Sequence, residues 1–301
     1  MSMNILVSGA GGLIGTALVS RLTKSGHRVV PLRRSVASSD IGPTWDPPGG
    51  HIHLEPAFPL DAVVHLAGES IARRWTANAK ARIRASRVEA TRLLCEALAR
   101  ASQPPRALVC ASASGFYGDR GEEILDESSH TGTGYLAELC QAWETATTPA
   151  QQHGIRVVHL RLGIVLARQG GALSRMLPLF RFGLGGRLGN GRQYWSWIAL
   201  EDVLRIVDLA LLDGNLSGAV NAVAPEAVTN AGFTAALSRA MHRLAFLPVP
   251  AFVVRAAFCE MGREALLASC RVRPARLLAA GFSFRYPDLN AALAHLLAND
   301  T

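Results

Sequence analysis

The sequence predicts an α/β protein: a doubly wound, mainly parallel sheet joined to a smaller, mostly helical C-terminal substrate lobe. Three observations carry this. A glycine-rich turn, NILVSGAGGLIG, links an apolar run to a helical pattern at the start of the chain. Short β-rich runs then alternate with longer helical patterns through the first two thirds, as in a parallel sheet flanked by helices. Beyond Arg161 the texture changes to a helix mixed with a glycine-rich, aromatic loop, and then to mostly helical sequence.

Taken in order, Met3 to Ser8 reads as the first strand, Leu13 to Ser25 as a helix with Leu18 and Leu22 one turn apart, and Arg28 to Leu32 as the second strand. A Pro/Gly-rich excursion, IGPTWDPPGGHIHLEPAFP, reads as loop and edge structure, and His51 and His53 within it are assigned to a loop. DAVVHLAG is a buried strand ending in glycine, and a long helix spans Thr76 to Ala101, stopping before Pro104 and Pro105. RALVCASASGFYG gives a strand and turn, Thr133 to Gln152 a helix, and Ile155 to Leu160 a strand. Glu201 to Leu212 and Ala219 to Ala222 add a helix and a strand, and YPDLNAALAHLL closes the chain as an amphipathic helix. The expected division is a nucleotide-binding domain over residues 1–228, with 170–198 contributing to the substrate lobe, and a small domain over 229–301.

With 49% hydrophobic and 18% charged residues over 301 positions, the composition is that of a compact soluble protein. Arg255 interrupts the best apolar stretch, PAFVVRAAF, and the N-terminus lacks a leader pattern, so no membrane association and a cytoplasmic location are expected. Cys95, Cys110, Cys140, Cys259 and Cys270 show no CxxC spacing and read as reduced, mostly buried thiols rather than a disulfide framework or a zinc site. The net charge of +8 is dispersed arginine, Lys24 and Lys80 being the only lysines. No recognition motif accompanies it, so nucleic acid is not an expected partner.

Gly9, Gly12 and Gly15 form GxxGxxG between a strand and a helix, with Leu13 and Ile14 inside the turn. Absent side chains permit the tight turn, close approach to a pyrophosphate and helix-on-strand packing, while the helix N-terminus attracts phosphate. The context is that of a Rossmann-type dinucleotide site. Its ribose reader normally stands at the end of the second strand, where a carboxylate accepts from a 2′-hydroxyl. Here Arg33 and Arg34, followed by Ser35, occupy that place. Guanidinium groups pair with a 2′-phosphate, so the expected cofactor is NADP(H) rather than NAD(H).

Together with HLAG (His65 to Gly68) and the serine-rich fourth strand, these residues resemble the extended short-chain dehydrogenase/reductase superfamily. HLAGESIARRWT, SRVEAT, SASGFYG, YLAELCQAWE, RLGIVLARQGGAL, WSWIALED, NAVAPEAVTN and RVRPARLLAAGFSFRYP, in that order, resemble its atypical nucleoside-diphosphate-sugar epimerase-like group with a small C-terminal domain of the DUF1731 type. The resemblance covers essentially the whole chain. It implies that Leu66, Ala67 and Gly68 line the adenosine side of the cofactor and that the segment around Gly163 lies near the nicotinamide. Arg87 in SRVEAT stands where many extended members carry Asn, and is expected to be a buried cationic contact to the cofactor or the site.

The superfamily mechanism pairs a Ser or Thr with the Tyr and Lys of YxxxK, the lysine lowering the tyrosine's pKa. Ser112 or Ser114 can supply the hydroxyl and Tyr135 the acid/base, but the fourth residue after Tyr135 is Leu139. No tyrosine in the chain has a lysine four residues on. A phenol without a nearby cation titrates near about 10, so either another group takes the lysine's part or proton transfer uses another residue, for which the carboxylates Glu138 and Glu69 are candidates by position.

Glu69, Arg74, Trp75 and Trp197 are candidate substrate contacts, and GNGRQYWSW brings Arg192 and Tyr194 toward the same cleft; arginine beside aromatic rings suits a phosphate-bearing ligand. The reading is an NADP(H)-dependent oxidoreductase or epimerase-like enzyme acting by hydride transfer on a small polar, nucleotide-linked or similar substrate, as monomer or homodimer. The alternative is a cofactor-sensing regulator, which the resemblance allows through relatives connected with cell division.

Overall fold

The central strands are apolar at nearly every position because helices cover both faces of the sheet: Ile5, Leu6 and Val7 of β1 (Asn4–Ser8) and Val63 and Val64 of β5 (Ala62–His65) are all fully buried. In the computed structural model, which describes residues 2–34, 42–54, 59–245 and 247–298, β1 turns at the glycines into α1 (Leu13–Lys24) and β2 (Arg28–Arg34). β3 (Thr44–Asp46) and β4 (His51–His53) form an antiparallel pair beyond β2. His51 and His53 therefore lie on an edge strand, not in a loop, because Thr44 and Asp46 register opposite them and the ladder extends the strand.

After β5, α2 (Ala77–Arg84) runs through a π turn at Ala85–Glu89 into α3 (Ala90–Ala99), so the long predicted helix is present but locally widened around Arg87. β6 (Ala107–Ala113), a 3₁₀ turn (Ser114–Tyr117) and the short β7 (Ile124–Leu125) follow. The predicted helix over Thr133 to Gln152 divides into α4 (Tyr135–Thr145) and α5 (Thr148–Gln152), with Pro149 opening the second. Then come β8 (Arg156–Leu162), β9 (Ile164–Ala167), α6 (Gly171–Arg181), β10 (Tyr194–Trp195), β11 (Trp197–Ala199), α7 (Leu200–Leu212) and β12 (Gly218–Ala222). The chain ends with β13 (Val228–Thr229), α8 (Asn230–Ala240), α9 (Ala251–Met261), β14 (Arg271–Val272), α10 (Ala275–Ala279) and α11 (Leu289–Leu297).

The main sheet has eight strands in the order β12-β8-β6-β5-β1-β2-β3-β4, parallel except for the β3–β4 pair. One core, on the α1 and α7 side, includes Leu18, Leu22, Val203 and Val207. Each such side chain contributes about 1.5–3 kcal/mol on burial. A second, on the α3 side, includes Leu94, Leu98, Trp143 and Trp45. A third unites Leu173 and Phe180 of α6, Trp195, Trp197, Phe233 of α8 and Leu293 of α11. The C-terminal segment is not confined to that lobe, since Leu277, Phe282 and Phe284 pack against the first core.

Asp202 pins the two parts together. Fully buried in the first turn of α7, it accepts backbone N–H bonds from Arg285 at 2.7 Å and Tyr286 at 2.9 Å. No helix among the described residues is long and apolar enough to cross a membrane.

Candidate functional site

The strand order reverses at β1, with β2 on one side and β5, β6, β8 and β12 on the other. Loops leaving the carboxyl ends of β1 and β5 diverge there, the place where parallel α/β sheets form a ligand crevice.

The glycine turn is fitted to one side of it. Gly9 has φ +71°, and a β carbon there would meet the Leu66 carbonyl carbon at 2.7 Å, so the turn lies directly against the end of β5. A β carbon on Gly15 would meet the Gly9 carbonyl oxygen at 2.1 Å; the absent side chain lets α1 seat on the turn. Thr16 donates the first helical bond, to the Gly12 carbonyl at 2.9 Å. The N–H groups of Leu13, Ile14 and Gly15 thus precede the ladder, with no side chain capping the helix and no acid in its first turn. Those donors fit an anionic phosphate, and the space around Gly11 is open. Leu13 itself packs against Gly170 and Gly171, which open α6.

Arg33 and Arg34 end β2, both exposed, in register with Thr44 and Trp45 of β3. Among the described residues neither guanidinium has an acidic partner. Ser35, also named for this place, lies outside the described residues.

The Leu66-to-Gly68 turn is held from behind by buried polar groups. Ser8 Oγ accepts from the Leu66 N–H at 3.2 Å and is hydrogen-bonded to His65 Nδ1 at 2.6 Å. His65 Nε2 is hydrogen-bonded to Thr91 Oγ1 at 2.9 Å, and Trp143 Nε1 donates to the same oxygen at 2.9 Å. Burial pushes the His65 imidazole down to about 4, so it is neutral. Arg87, on the π turn, donates from Nη1 to the Glu69 carbonyl at 2.9 Å, and its guanidinium carbon would stand 3.2 Å from a β carbon on Gly68. It is no solvated helical charge; burial lowers its pKa, opposed by Cys140, Tyr135 and Glu69.

Other predicted residues are placed differently. Ser112 is 2% exposed and donates to Glu144 Oε1 at 2.7 Å, which removes its hydroxyl from the crevice. Ser114 opens the turn after β6, half-buried, and its hydroxyl has no hydrogen bond among the described residues. Tyr135 donates to the Lys80 carbonyl at 2.9 Å and so lacks a poised proton. Cations do stand near it, contrary to the sequence reading: Lys80 Nζ is 4.7 Å from the ring centroid and Arg87 lies close by. Burial nevertheless raises the phenol, outweighing Arg87 and Arg84.

Trp75 and Trp197 are core residues rather than substrate contacts, with indole N–H groups donated to Ile71 and Glu226 carbonyls at 2.9 and 3.2 Å. The Glu69 carboxylate is paired with Arg73 at 2.7 Å and Arg82 at 3.1 Å. Arg74, exposed, donates from Nε to Cys259 Sγ at 3.0 Å, and Glu138 is a solvent-exposed acid. Gly163 lies between β8 and β9, against the residue before β11: a β carbon there would meet the Ser196 carbonyl oxygen at 2.6 Å.

Sequence reasoning missed the groups that hold the turn after β6. Arg161, 5% exposed, donates to Glu144 at 2.8 and 2.9 Å and to the Tyr117 hydroxyl at 2.9 Å, while its guanidinium carbon lies 3.5 Å from the Phe116 ring centroid. Tyr117 donates in turn to Asn221 Oδ1 at 2.7 Å. Burial alone would lower the Arg161 pKa, but Glu144 outweighs it and holds it above its ordinary value. The signal was present: RVVHLRL is a buried strand interrupted by an arginine, which requires a partner. All the cysteines are unpaired, and burial pushes Cys95, Cys140 and Cys270 up to about 12.

Comparison with known proteins places this geometry. Residues 5–222 match the model of the NAD dependent epimerase/dehydratase family, and residues 249–296 that of the domain of unknown function DUF1731. Epimerase family protein Mb2239 of Mycobacterium bovis is 44% identical over 292 residues, covering 97% of this chain and 96% of that protein. The crystal structure of human epimerase family protein SDR39U1 with NADPH superposes with a TM-score of 0.90 at 37% identity, over 99% of this chain and 100% of that one. UDP-glucose 4-epimerase of Thermus thermophilus, in complex with NAD, shares the fold with a TM-score of 0.75 at 20% identity. A Rossmann-type crevice on a whole-chain match of this kind leaves one assignment: the chain belongs to the NAD dependent epimerase/dehydratase family and carries a C-terminal DUF1731 domain.

Proposed function

We propose that this chain binds NADP(H) at the glycine turn and transfers hydride between the nicotinamide and a carbonyl or carbinol of a small polar substrate. The observation that carries the reading is the uncapped start of α1 behind a side-chain-free turn, with two exposed arginines at the end of β2. NADPH in the human relative supports it. When bound, the nicotinamide supplies or accepts the hydride.

The chain's own residues then have separate tasks. Leu13, Ile14 and Gly15 present N–H groups to the pyrophosphate, and Arg33 and Arg34 pair with the 2′-phosphate. Leu66, Ala67 and Gly68 line the adenosine side, held in place by His65 and Arg87, and Gly163 closes the nicotinamide end. Ser114 hydrogen-bonds the substrate oxygen as charge develops on it. Tyr135 is a structural contact between α4 and α2.

Saturable NADPH binding, followed by substrate-dependent loss of reduced-nicotinamide absorbance across a panel of sugar nucleotides and carbonyls, tests this. Binding without turnover across the panel would favour the cofactor-sensing reading. The contacts that support that second reading tie α2 and α4 to the C-terminal domain: Lys80 with Glu260, and the Leu136 N–H with Glu264 Oε2 at 3.0 Å.

A further inference from the structure

α8 divides into two faces. Phe233, Ala236 and Leu237 enter the third core. Ala231, Thr234 and Ser238, spaced three and four apart, share another face and are followed by Arg239. Their short side chains leave that face hollow, and a cavity of about 420 Å³ lies over it, bordered also by Pro248 and by Arg187 from the loop between α6 and β10. The volume is that of a small-molecule site. None of the lining residues belongs to the crevice at the ends of β1, β5 and β6.

Main-chain bonds hold the walls in place. The Val249 N–H donates to the Arg187 carbonyl at 2.8 Å, and the Leu188 N–H donates to Oδ1 of Asn230, at the start of α8, at 2.7 Å. Gly191, at φ +72°, closes the loop onto the helix: its carbonyl accepts from the Ala231 N–H at 2.9 Å, and a β carbon there would meet Ala231 Cβ at 3.0 Å and Arg187 Cβ at 3.3 Å.

The polar groups of the cavity select an anion. No acidic side chain lines it among the described residues. Arg187 has neither an ion pair nor a side-chain hydrogen bond among them. Arg239 donates from Nη2 to Asn290 Oδ1 at 2.9 Å, a neutral acceptor that orients the guanidinium and leaves its charge uncompensated. Thr234 is 6% exposed, yet its hydroxyl has no hydrogen-bond partner among the described residues. A hydroxyl so enclosed ordinarily has one. Two guanidinium groups and a free hydroxyl donor match a dianionic phosphate, and the alanine and proline walls match a small organic group attached to it. We propose that this cavity is a second binding site, separate from the dinucleotide crevice, for a small phosphomonoester whose phosphate lies between Arg187 and Arg239 and accepts from Thr234.

Calorimetric titration of the full-length protein with phenyl phosphate, inorganic phosphate and phenol, each with and without saturating NADPH, tests this. Saturable one-to-one binding of phenyl phosphate is expected in both conditions, with inorganic phosphate at least tenfold weaker and phenol not bound. Arg187→Ala with Arg239→Ala is expected to weaken phenyl phosphate at least tenfold, and Thr234→Val about fivefold, with NADPH affinity unchanged. Both arginines are exposed, so the double variant keeps the wild-type thermal midpoint. Arg187→Lys with Arg239→Lys, which keeps the charge and loses the planar fork, is expected to bind with intermediate affinity. Absence of saturable binding, inorganic phosphate as tight as the ester, or binding unchanged by the double alanine replacement overturns the inference. So does competition by NADPH, which would place the anion at the glycine turn.

Discussion

Glu144 and Arg161 form a two-bond ion pair at 2.8 and 2.9 Å between α4 and β8, with side chains 12% and 6% exposed. The pair carries Ser112 on one side and Tyr117 on the other, so it sets the position of the turn that presents Ser114. Removing one member leaves a buried charge unpaired. Arg161→Met or Glu144→Gln is expected to cost about 3–5 kcal/mol, and the double replacement Glu144→Leu with Arg161→Met considerably less, as read by urea unfolding.

The glycine turn makes a paired prediction. Gly15→Ala forces a β carbon into the Gly9 carbonyl and is expected to destabilise by about 1–3 kcal/mol or more and to weaken NADPH binding. Gly11→Ala meets nothing within 4 Å and leaves thermal stability unchanged.

His65 gives the protein an acid-side stability slope. Its folded pKa of about 4 lies below the unfolded value near 6.5, so the unfolded chain binds the extra proton between them. Stability is therefore complete above about pH 6.5 and falls by up to about 3 kcal/mol as pH drops toward 4. Urea midpoints measured across that window show the loss, and His65→Gln flattens this part of the slope.

Asp202 ties α7 to the C-terminal segment. Asp202→Ala leaves the Arg285 and Tyr286 N–H groups without their acceptor and is expected to cost about 2–4 kcal/mol, with faster amide exchange at both positions. Asp202→Asn, which keeps one acceptor oxygen, loses less.

The two hydroxyls near the crevice separate by kinetics. Ser114→Ala is expected to reduce kcat about a hundredfold once a substrate is in hand. Tyr135→Phe, whose hydroxyl only holds the Lys80 carbonyl, keeps kcat and loses about 1 kcal/mol of stability.

What was legible in the sequence was local. The strand, turn and helix around Gly9, Gly12 and Gly15, and the arginines at the end of β2, are read from spacing within a few residues. The network around Arg161 was not, because its partners Glu144 and Tyr117 are 17 and 44 residues away and Asn221 lies 104 beyond Tyr117. Tryptophan is equally ambiguous in sequence: an apolar body with one polar handle serves a core or a cleft, and Trp75 and Trp197 went to the core. The same holds for Tyr135, whose backbone acceptor on Lys80 leaves no trace in spacing.

The most direct test of the central claim is the pair of dissociation constants for NADPH and NADH, on the wild-type protein and on Arg33→Ala with Arg34→Ala together. The account predicts NADPH at least tenfold tighter in the wild type, and loss of that preference in the double variant with NADH affinity unchanged. Equal affinities in the wild type, or a preference that survives both substitutions, would contradict it.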